Sequence, residues 1–148
     1  METLNKQVGG NHYKQFPIQP VELCYETNLP FLEGCVVKYV CRYKYKHGLE
    51  DLNKALHFVE MLIDFKWKYE SSFLGRLFWK VKGWYRRWKH GHFVANFCTV
   101  NNLERPEQQL ITIFCVFHGN MGELYAIRNL IQDLIQKYKQ EKKNDRDN

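Results

Sequence analysis

The chain has 148 residues, enough for one domain, or one domain with an appendage. With 45% hydrophobic and 26% charged residues, its composition is that of a folded protein and excludes an intrinsically disordered one. The net charge of +6 is concentrated in residues 66–90, where Lys66, Lys68, Arg76, Lys80, Lys82, Arg86, Arg87 and Lys89 face Glu70 alone; the rest of the chain is close to neutral, so a whole-chain case for nucleic-acid binding fails.

Five cysteines (Cys24, Cys35, Cys41, Cys98 and Cys115) lack C-x-x-C spacing and read as buried, reduced thiols of a cytosolic protein. Met1–Lys6 leads into no apolar segment, so no signal peptide is expected. No run approaches the roughly 18 apolar residues of a membrane span.

Val8 to Lys14 reads VGGNHYK. Gly9-Gly10 would let backbone come close to a ligand, although a plain N-terminal arm has the same look. Pro20 suits the first turn of a short helix to about Thr27, and Asn28-Leu29-Pro30 breaks it. Pro30 then opens a second helix through Lys46, with Leu32, Val36, Val37 and Val40 on its buried side. Lys38, Arg42 and Lys46 recur every four residues, a cationic ladder on one helical face. Gly48 is placed to end this helix as a left-handed cap. Glu50 and Asp51 start the next helix, where the macrodipole favours negative charge. The ladder meeting an acidic helix start is either a phosphate site or a salt-bridged hairpin. Periodicity alone favours the hairpin.

The third helix, from about Leu49 to Tyr69, carries the stripe Leu52, Ala55, Leu56, Val59, Leu62 and Ile63. A helical hairpin of this size buries little by itself, so it needs the C-terminal half or a partner subunit, and a homo-oligomer is expected. Residues 71–92 interleave aromatic and basic side chains, as in a basic amphipathic helix or linker. Such a segment can lie on an anionic membrane surface, stack on nucleic acid, or dock on its own core. Next, Phe93, Ala95 and Phe97 alternate with Val94, Asn96 and Cys98, and Leu110 to Phe117 is a β-branched, aromatic run of strand length. The two predict an antiparallel pair. Asn120 and Glu123 fit a helix cap before a stripe of Leu124, Ile127, Ile131, Leu134 and Tyr138. The polar stretch from Lys139 is expected to fray.

The predicted class is therefore α+β: a mainly helical N-terminal half, a basic amphipathic helix, and a small β-β-α element. The divisions fall at 8–70, 71–92, 93–139 and a disordered tail at 140–148.

The chain has no G-x-x-x-x-G-K-[ST], G-x-S-x-G or H-E-x-x-H. His90, His92, Cys98, Cys115 and His118 match no standard zinc spacing. Glu60 and Asp64 form one acidic pair where Mg²⁺ chemistry on helices normally uses two. The ladder remains, with Lys54 just beyond Asp51: Arg offers a planar fork to phosphate oxygens and Lys a mobile charge, while a solvated face is the commoner origin of such a pattern.

GGNHYK (Gly9 to Lys14), IQP (Ile18 to Pro20), FLEG (Phe31 to Gly34), Lys38-Tyr39, RYK (Arg42 to Lys44), Lys46 and G-x-EDL-x-KA (Gly48 to Ala55) together resemble the SaV-like phage proteins, over about residues 8–65. That family is commonly described as phage nucleotide kinases that phosphorylate deoxynucleoside monophosphates without a Walker motif. The resemblance implies a phage protein of the host cytoplasm that handles nucleotides, with 8–70 as its nucleotide-binding region. His12, Tyr13 and Lys14 would contact the ligand, and Lys38, Arg42 and Lys46 would bind phosphates. Asp51 would orient a lysine or hydroxyl, and Lys54 would add charge, with Arg42 and Asp51 as the catalytic pair. A kinase of this kind would take Mg²⁺ with a nucleoside triphosphate donor; no other cofactor is called for. Two alternatives stand beside it: a non-catalytic protein that sequesters a nucleotide or nucleotide second messenger, and a nucleic-acid or membrane-surface module at 66–90.

Overall fold

The computed structural model describes residues 2–8, 10–69, 85, 89–115 and 120–147. Its helices are α1 (Pro20–Thr27), α2 (Phe31–Arg42), α3 (Leu49–Tyr69), α4 (89–100), α5 (Arg105–Cys115) and α6 (Met121–Asp147). Short 3₁₀ turns lie at Glu2–Asn5 and Tyr43–Tyr45.

Local chemistry sets the boundaries. α1 starts at Pro20, whose missing N–H is no loss in a first turn, and the backbone N–H of Gln19 donates to Glu22 Oε2 at 2.7 Å. It stops at Asn28, which takes the left-handed conformation at φ 50°. α2 buries Cys35, Val36, Val37, Val40 and Cys41, with Leu32 half-buried. It ends at Arg42 and not at Lys46. The Gly48 N–H reaches back to the Tyr43 carbonyl at 2.9 Å, closing a wider loop than a helical turn, and Lys46 leaves the helical region at φ −136°, ψ −92°. Gly48 is the left-handed residue expected, at φ 53°, and it has a second reason to be glycine. A Cβ there would lie 2.3 Å from the Tyr138 hydroxyl oxygen.

α3 is the central element, packed against α2 and against α6. Leu52, Ala55, Val59 and Ile63 are buried in one core with Leu124, Ile127, Ile131 and Leu134 of α6. Of the two covers expected for the stripe, the C-terminal half of the same chain supplies one through α6.

Among the described residues there is no β-strand, which corrects the α+β class and its β-β-α element. The first expected strand lies in α4. There His90, Val94, Phe97 and Cys98 are buried at helical spacing, with Asn101 buried just beyond the helix, and Ala95 is exposed. The 110–115 part of the second lies in α5, where Glu107, Leu110, Ile111, Phe114 and Cys115 form the buried side; 116 and 117 fall outside the described residues. Asn101-Asn102, which an antiparallel pair would need as part of its connecting loop, is a helix end: Asn102 sits at φ 49°, and the Leu103 N–H bonds the Cys98 carbonyl at 3.1 Å.

Asn120 does cap α6, accepting the Glu123 N–H on Oδ1 at 2.9 Å. The expected disordered tail is also corrected, because α6 continues through the polar stretch to Asp147. Lys137–Glu141 and Lys142–Asp145, 3.7 and 3.6 Å apart, are the one-turn ion pairs that support an exposed helix. The basic aromatic segment lies mostly outside the described residues. Among the described residues, no helix is long and apolar enough to cross a membrane.

Candidate functional site

The turn between α2 and α3 brings Arg42 onto Asp51. Arg42 Nε donates to Asp51 Oδ2 at 3.0 Å and Nη2 donates to Oδ1 at 2.8 Å, a two-pronged charge-assisted pair. The Asp51 side chain has no exposed surface, and that of Arg42 is 11% exposed. Burial works against the guanidinium charge, but the bond to Asp51, the Tyr13 hydroxyl and the Asp51 charge together outweigh it and raise the Arg42 pKa above its ordinary value. For this pair the hairpin alternative holds: Asp51 balances Arg42 and fixes its plane.

Three of the cations gather on an aromatic ring. Lys38 Nζ lies 4.6 Å, Arg42 Cζ 4.7 Å and Lys54 Nζ 5.9 Å from the Tyr39 ring centroid. Phe58 of α3 stacks on the same ring at 5.9 Å and 17°. Lys54 is also bonded to Glu50 one turn earlier.

His12 and Tyr13 approach from the N-terminal arm, their ring centroids 4.2 Å apart. Burial, then the charges of Lys46 and Arg42, push the His12 imidazole below its ordinary value, with Asp51 opposing. Lys46, taken off the ladder by the end of α2, therefore stands within electrostatic reach of His12. Burial raises the Tyr13 pKa; Arg42 acts on that hydroxyl without the alignment of a hydrogen bond. Lys14 is exposed, and among the described residues its side chain makes no ion pair or hydrogen bond with this group.

Beside the cations lies a cavity of about 330 Å³, with Pro20, Val21, Cys24, Leu29, Pro30, Phe31, Gly34 and Cys35 as walls and Tyr13, Gln19 and Lys38 at its polar edge. Burial, then the neighbouring Cys35, pushes the Cys24 thiol up to about 11, which makes it wall and not nucleophile. All five cysteines are free thiols, four of them buried. Among the described residues no three His, Cys, Asp or Glu side chains gather to hold a metal; His118 lies outside them.

The structure thus joins His12, Tyr13, Lys38, Arg42, Lys46, Asp51 and Lys54, and leaves Lys14 apart. Sequence reasoning passed over Tyr39, although an aromatic three residues before Arg42 was a legible cue. It also passed over Gln7, whose Oε1 accepts the Tyr13 N–H at 3.2 Å.

Residues 8–60 match a family described as a protein of unknown function, DUF3310. No curated protein and no solved structure matches the chain. The matched segment runs from the arm through α1 and α2 into α3, and so spans the whole cationic group and all the residues lining the cavity.

Proposed function

We propose that the protein binds a nucleotide across this cleft, its base in the α1–α2 cavity and its phosphates on the cationic group. Lys38 carries the reading: it lines the apolar cavity and also shares the Tyr39 ring with Arg42 and Lys54. An apolar pocket with a few polar groups at one edge is the usual form of a small-molecule site. Arginine and lysine together suit phosphate oxygens.

The finer form of the proposal is a phage kinase of the host cytoplasm, moving phosphate from a nucleoside triphosphate to a deoxynucleoside monophosphate. Resemblance of residues 8–65 to the SaV-like proteins supports it. In that reaction Lys38, Arg42 and Lys46 would position phosphates and spread their charge, and Asp51 would act through Arg42. Mg²⁺ would arrive on the donor phosphates, since no carboxylate cage stands ready among the described residues.

A second reading is sequestration without turnover. Both Asp51 oxygens are bonded to Arg42 and have no exposed surface, so Asp51 cannot accept a proton from a bound hydroxyl.

One experiment separates the two. Purified protein is given a deoxynucleoside monophosphate, a nucleoside triphosphate and Mg²⁺, and the nucleotides are resolved by mass spectrometry. Diphosphate product that falls in Lys38→Ala supports the kinase. Tight stoichiometric binding with recovery of unchanged nucleotide supports sequestration. Failure of the wild-type protein to bind any nucleotide overturns both.

A further inference from the structure

Five buried side-chain nitrogen or oxygen atoms among the described residues have no hydrogen-bond partner. Three of them (Gln7 Nε2, His12 Nε2 and Tyr13 Oη) belong to the N-terminal arm. Buried polar groups in folded proteins are nearly always bonded, and each one left unmade is costly, so three on one short segment call for a partner.

The arm is built to hold them. Gln7 Oε1 is taken by the Tyr13 N–H at 3.2 Å, which makes Nε2 the unbonded end of the amide. The arm is fastened at its base by Asn101, which accepts the Ile18 N–H at 3.4 Å and donates to the Ile18 carbonyl at 2.9 Å. Gly10 turns the backbone just ahead of His12 at φ 124°, and a Cβ there would press on His12 Nδ1 at 3.2 Å. All three unbonded atoms can donate: an amide N–H, a phenol O–H and, in the protonated ring, an imidazole N–H. A partner that accepts from several donors and is drawn to Arg42 and Lys46 is a tetrahedral oxyanion.

We propose that Gln7, His12 and Tyr13 form an oxyanion subsite beside the Arg42–Asp51 pair, filled by a terminal phosphate of the ligand or by a free inorganic dianion. Identifying that ligand as a nucleotide rests on the preceding section; the subsite itself does not. All three atoms are buried in this structure, so an anion would reach them only with a shift of the arm.

The subsite has a proton signature. His12 is faced by Lys46 and His47 of the turn, Arg42 of α2, Asp51 of α3 and Tyr13 of the arm. Burial and this mainly positive surrounding lower its pKa, so the empty subsite holds a neutral imidazole at pH 7. A dianion in contact reverses that balance and favours imidazolium. Binding then takes up a proton and weakens as pH rises, by up to about tenfold per pH unit between the free and bound pKa values.

Sulfate is the probe, because it does not itself titrate over this range. Sulfate and a deoxynucleoside monophosphate are titrated calorimetrically into the full chain between about pH 5.5 and pH 8, bracketing the ordinary histidine range, in buffers of different ionisation enthalpy. The expected result is uptake of close to one proton per sulfate, with affinity falling as pH rises. His12→Gln should flatten the pH dependence, and Gln7→Ala should weaken binding by about tenfold. Sulfate that binds without proton uptake, or whose pH dependence survives His12→Gln, overturns the subsite. Should the monophosphate bind with no sulfate site and no proton uptake, the subsite falls and the nucleotide reading stands. Sulfate binding with proton uptake, and no nucleotide binding, gives the reverse.

Discussion

Arg42 and Lys44 stand two residues apart at the end of α2, yet they meet their carboxylates in opposite ways. Arg42 pairs within the hairpin, with Asp51, whose side chain has no exposed surface. Lys44 reaches across the chain to Glu104 and Glu107 of the second half. Glu107 is buried, and its Oε1 also accepts the Tyr43 hydroxyl at 2.9 Å, while Glu104 is 45% exposed and shared with Lys137. The first pair shapes the candidate site. The second cluster fastens the turn to α5 and α6. The last residue of α2 and the 3₁₀ turn Tyr43–Tyr45 that follows it therefore carry different duties, and the two should respond differently to mutation.

The sharpest break is Asp51→Ala, which leaves the Arg42 charge buried without its partner. Loss of about 3–5 kcal/mol in urea unfolding is expected. Gly48→Ala comes next, at about 1–2 kcal/mol for a left-handed backbone, with the displacement of Tyr138 added. Combined with Tyr138→Ala, the steric part should vanish and the backbone part remain, giving a coupling of about 1 kcal/mol in a double-mutant cycle. Purely additive effects would mean that Tyr138 does not crowd Gly48. Glu107→Gln keeps the shape but weakens the bonds to Tyr43 and Lys44, and should cost about 1–2 kcal/mol.

Glu104 gives the smallest effect. Its bonds to Lys137 and Lys44 hold its carboxyl down to about 2. A carboxylate with a lowered folded-state pKa stabilises above its unfolded value and loses that contribution as pH falls. Glu104→Gln should therefore lower stability at neutral pH by a few tenths of a kcal/mol, given its exposure. The gap to wild type should close as pH falls from about 4.5 towards about 2, and added salt should close it at neutral pH too.

Where one helical face is buried along its whole length, the fold was legible in the residues. The stripes of α3 and α6 were read almost position by position, and Asn28 and Gly48 marked turns through chemistry they alone supply. The helices α4 and α5 were misread because runs of Phe, Val, Ile and Cys this short fit a strand or a buried helix equally well. What decides is a polar member such as His90 or Glu107 on the buried side, whose role appears only when the core is assembled. In the site, spacing put Lys38 and Arg42 on one face of α2, and both lie over the Tyr39 ring. It could not tell that Arg42 is already paired, since an ion pair and an anion site draw on the same residues. Lys46 was assigned to a helical face it does not occupy, because Gly48 and the anchoring of Tyr43 end α2 early.

The seam between α3 and α6 limits how far the family-matched segment can travel alone. Leu52, Ala55, Val59 and Ile63 have no exposure beyond 8%, and the core that encloses them includes α6 residues. Excised as a peptide, residues 8–60 would uncover part of that core and release the turn that brings Lys46 to His12. The segment is thus a cassette and not a free-standing domain. In this chain α6 supplies both the matching apolar stripe and the Tyr138 side chain seated over Gly48.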